Sequence, residues 1–190
     1  MHFFSYLCAP KVLSIVMKNP KLIVDPRQLI EVPKFVNIDG HIQELYKISC
    51  NFPIDVRLIL DSKDDVPYEF LMQITQSAKN SVKMSLHLQS NNLKIGLFRV
   101  DYVGTHKNPE EVTKDVPSNF LPYRGQIIRG SHIHYYVQGY NQLEWAIPIE
   151  MTDYSCKKIT EFQESIVEAI ECFAETIHLN TKLNFERALL

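Results

Sequence analysis

Val82-Lys83-Met84-Ser85-Leu86-His87-Leu88-Gln89 is the run that decides the fold. Apolar Val82, Met84, Leu86 and Leu88 alternate with Lys83, Ser85, His87 and Gln89. Successive side chains on a strand point to opposite faces, so a period of two predicts a strand with one buried face and one polar face. Turn residues close it on both sides, Ser77-Ala78-Lys79-Asn80 before and Ser90-Asn91-Asn92 after. The signal repeats outward. Ile54 to Leu60 and Tyr68 to Thr75 precede it, separated by Asp61-Ser62-Lys63-Asp64-Asp65, and Leu93 to Tyr102 follows it. Four strands joined by short polar turns predict an antiparallel β-meander.

The period changes at the C-terminal end. Ile159, Phe162, Ile166, Ile170, Phe173 and Ile177 recur at spacings of three and four, with Lys157, Glu161, Glu164, Glu168 and Glu175 on the other side. That predicts a helix from about Cys156 to Ile177, capped by Ser155, with its apolar stripe on the sheet. The expected class is therefore α+β: an antiparallel β-meander or sheet covered by a C-terminal helix, with a small N-terminal appendage. Residues 1–53, punctuated by Pro20, Pro26, Pro33 and Pro53, are read as that appendage or subdomain, and residues 54–190 as the α+β domain. An extension packed on the main domain is the equal alternative for the first segment. Within it we expect a short helix before Pro20 carrying Val12, Leu13, Ile15 and Val16. Edge strands are expected at Leu22-Ile23-Val24 and Phe35-Val36-Asn37-Ile38, with a turn at Asp39-Gly40.

Composition sets outer bounds. With 190 residues, 45% hydrophobic and 22% charged, the chain suits an ordinary globular core. A formal net charge of −2 provides no global basic field, so contact with nucleic acid must come from a local patch. Cys8, Cys50, Cys156 and Cys172 are scattered without a C-x-x-C pair, which excludes a zinc ribbon and predicts reduced thiols. Asp61, Asp64 and Asp65 lack the spacing and glycine of an EF-hand loop. The apolar start, Met1 to Leu7, lacks a preceding cation and a small-residue cleavage site, and no stretch reaches the length of a membrane span, so the expected compartment is the cytoplasm.

The candidate site lies between the meander and the helix. Residues 104–130 read as a long loop with Pro109, Pro117, Pro122, Arg124, Gly125 and Arg129, and long loops in compact domains carry function. Gly130-Ser131-His132-Ile133-His134-Tyr135-Tyr136-Val137-Gln138-Gly139-Tyr140 follows, closed by Trp145-Ala146-Ile147-Pro148. Alternation puts His132, His134 and Tyr136 on one strand face and Ile133, Tyr135 and Val137 on the other. Ser131 points away from its neighbour His132, which argues against a nucleophile pair. His41, His87 and His178 stand in polar surroundings and read as solvated.

Taken in order, several short motifs resemble a known pattern across residues 60–177. They are Arg99-Val100-Asp101, Gly104-Thr105-His106-Lys107-Asn108-Pro109, His132-Ile133-His134-Tyr135-Tyr136, Gly139-Tyr140 and Trp145-Ala146-Ile147-Pro148. Their order resembles that of uncharacterised small proteins of bacterial mobile elements and phages. The resemblance implies an α+β domain and carries no established reaction. In scale and in its extra N-terminal segment the chain is also similar to some anti-CRISPR proteins, which implies a counter-defence role with an RNA-guided nuclease complex, protein and guide RNA, as partner.

Three chemistries fit the residues. Metal-independent cleavage of RNA needs a base, an acid and cationic stabilisation; His106, His132 and His134 with Arg124 are the catalytic candidates, and Lys107, Arg129, Tyr136 and Tyr140 the RNA-binding ones. A metal site is the second: H-x-H on a strand puts two ligands on one side, with His106 as a third. Gln138 stands where a cupin-like site would carry its acid, so no metal or other cofactor is assigned. The third is a binding module in which the same residues form a structural network.

Overall fold

The computed structural model describes residues 25–63, 68–140 and 142–186. The helix expected before Pro20, the strand at 22–24, Cys8, and Asp64 and Asp65 lie outside the described residues. The meander is present in the expected places. Strand β1 spans Phe35–Ile38, β2 His41–Ile42, β3 Leu45–Ser49, β4 Asp55–Asp61, β5 Glu69–Ser77, β6 Asn80–Ser90, β7 Ile95–Lys107, β8 Ile127–Tyr135, β9 Trp145–Pro148 and β10 Lys182–Glu186. Eight of them form one antiparallel sheet in the order β2-β1-β4-β5-β6-β7-β8-β9, while β10 and β3 pair in parallel as a second, two-stranded sheet. The fold is thus a sheet-dominated α+β arrangement with a single α-helix among the described residues, α1, at Gln163–Thr176.

The alternation read around Val82 settles which face is buried. Met72, Ile74, Leu86, Leu88, Phe98, Val100 and Ile133 are fully covered, and α1 lies over them with Ile166, Ala169, Ile170 and Phe173. The Phe173 ring stacks on Phe98 with centroids 5.6 Å apart. Leu29, Val36, Ile48 and Cys50, from the described part of the N-terminal segment, belong to this same core, and β1 pairs directly with β4. Lys34 is fully buried; its Nζ donates to the carbonyls of Ile30, Val32 and Ile177 at 2.8, 2.7 and 2.9 Å and sits 4.6 Å above the Phe70 ring. Burial draws this ammonium down to about 7, and the Glu31 charge opposes that. Cys50, Cys156 and Cys172 carry free thiols.

Two expected boundaries move. The helix begins at Gln163, seven residues after Cys156, because residues 156–162 are committed elsewhere. The Cys156 carbonyl accepts the Tyr102 hydroxyl at 2.6 Å instead of a helical amide, and Ser155 Oγ lies 2.9 Å from Cys172 Sγ rather than capping. Phe162, expected in the apolar stripe, is 68% exposed. The loop expected over 104–130 is shorter as well. β7 runs on through Gly104, Thr105 and His106 to Lys107, and β8 begins at Ile127, so the two extend as a ribbon with Thr105 opposite Arg129 and His106 opposite Ile128.

Candidate functional site: a buried histidine–aspartate cluster

The polar face of the sheet is ordered in two rows across the strands. One row runs Thr75, Ser85, Asp101, His132 and Pro148; the next runs Gln73, His87, Arg99, His134 and Ala146. Residues directly opposite one another share a face and sit about 5 Å apart, so the register alone brings Arg99, Asp101, His132 and His134 together.

A bulge adds His106. Between Asp101 and Gly104 the register shifts: Asp101 pairs with His132 and Gly104 with Gly130, so β7 spends two residues, Tyr102 and Val103, where β8 spends Ser131 alone. One extra residue inverts the alternation beyond it. Gly104 and His106, which an unbroken strand would aim at the core, turn to the histidine face. The His106 and His134 rings meet edge to face with centroids 4.5 Å apart, and His106 and His132 are 6.1 Å apart. Val103 takes the strain with φ at +55°, a left-handed conformation that a β-branched residue rarely adopts. Gly104 is needed for contact: a Cβ there would lie 2.7 Å from His132 Cε1.

Main-chain carbonyls fix all three rings. His132 Nδ1 donates to Gly130 O at 2.9 Å, His134 Nδ1 to Leu143 O at 2.9 Å, and His106 Nε2 to Glu144 O at 2.7 Å. The segment before β9 therefore offers consecutive carbonyls to two histidines. Asn108 holds that segment in place, accepting from Ala146 N and donating to Ala146 O, both at 2.8 Å. The tautomers inferred from these partners turn the second nitrogens of His132 and His134 toward Asp101. His132 Nε2 is 3.5 Å and His134 Nε2 3.1 Å from Asp101 Oδ2. Arg99 Nε donates to the same oxygen at 2.9 Å and its Nη2 to His134 Nε2 at 2.8 Å; the Ser85 hydroxyl donates to Asp101 Oδ1 at 2.6 Å.

His132 and His134 are 1% and 0% exposed. Burial pushes the His134 imidazole down to about 4 despite the neighbouring Asp101 carboxylate, which favours the charged form, and it also lowers His106. A neutral His134 agrees with its partners, since Arg99 can only donate and so requires a lone pair on Nε2. Burial alone would raise the Asp101 carboxyl; its contacts with the histidines, the Arg99 charge and the Ser85 hydroxyl outweigh that and hold it well below the ordinary carboxylate range. His87, expected to be solvated, is half-buried in the same face. Burial takes it down to about 4, and its Nδ1 lies 3.3 Å from Gln73 Oε1. Arg99, Asp101, Gly104, Thr105, His106 and His132 border an open cavity of about 300 Å³.

Of the eight expected site residues, His106, His132 and His134 come together and five do not. Arg124 is exposed on the loop, its Nε donating to Glu110 O at 2.6 Å. Lys107 pairs with Glu110 at 2.8 Å, and Arg129, opposite Thr105, points to the other side of the ribbon from His106. Tyr136 follows the last residue of β8 and borders a different cavity, of about 690 Å³, with Tyr135 and Phe120. The Tyr140 hydroxyl donates to Glu111 O at 2.7 Å and accepts from Thr113 N at 3.0 Å. The cause is common to them: loop and hairpin ends lie beyond the rows that pass through His132 and His134. Gln138 is exposed and plays no part. The acid that does face the histidines is Asp101 of the neighbouring strand. Arg99 and Asp101 were visible as an R-x-D pair with the right period, but only the register of β7 against β8 places them opposite the histidines.

A family model described as "Family of unknown function (DUF6978)" matches residues 26–179. The chain belongs to this family, DUF6978. The matched residues contain every strand of the DUF6978 eight-stranded sheet, the whole cluster and α1. No curated protein and no solved structure matches the chain. Among the described residues no helix is long and apolar enough to cross a membrane.

Proposed function

We propose that this is a metal-binding protein in which Asp101, His132 and His134 hold one divalent first-row transition-metal ion beside the small cavity. One observation carries the proposal. Asp101 Oδ2 and the Nε2 atoms of His132 and His134 converge, with the ligand atoms of the three residues within 4.8 Å of one another, while both Nδ1 atoms are held by main-chain carbonyls. Histidine ligands characteristically donate their other N–H to such a partner, which fixes the tautomer and aims the lone pair. Two imidazoles and a carboxylate suit zinc, iron, cobalt or manganese and leave positions for water or a ligand. Such an ion supplies Lewis acidity and lowers the pKa of bound water. Ser85 and the carbonyls of Gly130 and Leu143 orient the three ligands, and the burial of both histidines keeps bulk water from their rings.

The test is elemental analysis of chain purified without an affinity tag that chelates metal, alongside Asp101→Asn and His132→Ala. About one equivalent in the wild type and a loss of at least tenfold in affinity in each variant are expected. Absence of stoichiometric metal, with no thermal shift on adding zinc, cobalt or manganese, refutes the proposal.

The meeting of His106, His132 and His134 favours a second reading: a counter-defence protein that binds an RNA-guided nuclease complex and cleaves or masks its guide RNA without a metal. Labelled RNA incubated in EDTA separates the two. Cleavage by the wild type that is lost in His132→Ala and His134→Ala supports the second reading, whereas equal outcomes for all three remove it. Activity against such a complex that survives both substitutions identifies a binding module.

A further inference from the structure

Arg99 occupies the place a metal would take. Its Nε and Nη2 donate to Asp101 Oδ2 and His134 Nε2, two of the three converging ligand atoms. An imidazole nitrogen has a single lone pair, so His134 Nε2 cannot hold the guanidinium and an ion together. Binding of an ion therefore expels the Arg99 head group. On the sheet, His87 and His134 flank Arg99 across β6 and β8, and its side chain is 31% exposed where it borders the cavity. The flexible stem lets the guanidinium turn into that cavity while its Cα stays in β7.

The cavity suits what a freed guanidinium recognises. Thr75, Ser77, Lys83 and Ser85 are among its lining residues, and Asp101 is the only carboxylate among them. With a divalent ion on Asp101 the surroundings are cationic. Guanidinium binds carboxylates and phosphates through two parallel N–H donors. About 300 Å³ admits a small molecule, not a folded partner. We infer that the cavity binds a small oxyanion, a carboxylate or a phosphate, with one oxygen on the metal and what remains, one oxygen of a carboxylate or more of a phosphate, held by the released Arg99. This rests on the metal reading above and adds a ligand class and an order: metal first, anion second.

The experiment titrates full-length protein with cobalt(II), then with inorganic phosphate or acetate, and follows the visible spectrum of the bound ion. In the wild type, anion affinity is expected to rise at least tenfold when cobalt is present. Arg99→Gln is expected to bind cobalt as tightly as the wild type or more tightly, because a resident competitor is gone, and to lose at least tenfold in anion affinity. Arg99→Lys, which keeps the charge without the fork, is expected to fall between, and it substitutes for the Gln variant if that one does not fold. The probe that binds more tightly names the oxyanion. If cobalt binds and the anions do not, or bind equally with and without metal or Arg99, the inference fails and the metal site stands. Loss of cobalt binding in Arg99→Gln also overturns it, since the guanidinium would then support the ligands. If cobalt does not bind the wild type, both readings fall.

Discussion

Gly104→Ala tests the geometry with one added carbon. The Ala Cβ would stand 2.7 Å from His132 Cε1, about 0.7 Å closer than ordinary contact begins. The backbone does not object, as Gly104 is not among the residues with positive φ. The ring has nowhere to go: Nδ1 is tied to Gly130 O, and its other side faces Asp101. Overpacking of this kind costs roughly 1–3 kcal/mol. In a chain of this length each kcal/mol moves the melting temperature by about 2–4 °C. Metal affinity should fall as well, by roughly 10–100-fold, the usual effect of disturbing the shell that aims a ligand. The decisive assay is a double-mutant cycle in urea with EDTA present. If the clash with His132 is the whole cause, Gly104→Ala in a His132→Ala background should be almost neutral, giving a coupling of about 1–3 kcal/mol. A coupling under about 0.5 kcal/mol refutes the reasoning, because the cost would then arise elsewhere in the ribbon.

Acid should unfold the metal-free protein through its histidines. His87 and His134 lie at about 4 in the folded chain and at 6.5 when unfolded. Above pH 6.5 both are neutral in either state; between 6.5 and 4 only the unfolded chain takes up the protons, so stability falls as pH falls through that window, by up to about 3 kcal/mol per histidine. Urea melts at pH 7.5 and 4.5 measure this, and a flat profile rules it out. Val103→Gly should stabilise by about 0.5–1 kcal/mol, since relief of left-handed strain exceeds the added chain entropy; a lower melting temperature contradicts the strain. Asn108→Ala removes two contacts to Ala146 and one to Tyr123, and should cost roughly 2–4 kcal/mol with a loss of metal affinity as the carbonyls of Leu143 and Glu144 shift. Unchanged affinity would show that this strap does not position the histidines.

The strands from β4 to β7 were legible because each carries its own alternation and its own turns. H-x-H was legible for the same reason, since two histidines at a spacing of two share a strand face wherever the strand lies. Asp101 was not, because its role depends on register, and register is a relation between β7 and β8 that neither run contains. His106 is the sharper case. Its parity along β7 puts it on the wrong face until Val103 accepts a strained conformation, and nothing about a valine announces that. Arg124 and Arg129 were attractive as the nearest cations in sequence, whereas the cation beside the histidines is Arg99, 33 residues upstream of His132 and adjacent to His134 only in space. The helix was placed by its apolar stripe, but its first turns were lost to Tyr102, whose hydroxyl captures the Cys156 carbonyl.

The parallel pairing of β3 with β10 has a consequence for synthesis. Leu45–Ser49 emerges from the ribosome early, and its partner emerges last among the described residues; the Lys47–Glu186 ion pair spans 139 positions. Until then the Ile48 backbone waits without its parallel neighbour, and Lys34 waits for the Ile177 carbonyl. The meander can form as it is made, from hairpins close in sequence, but closing these distant contacts is slow and comes only at the end. A nascent chain halted before residue 182 would hold a nearly complete histidine cluster on a domain whose seam is still open.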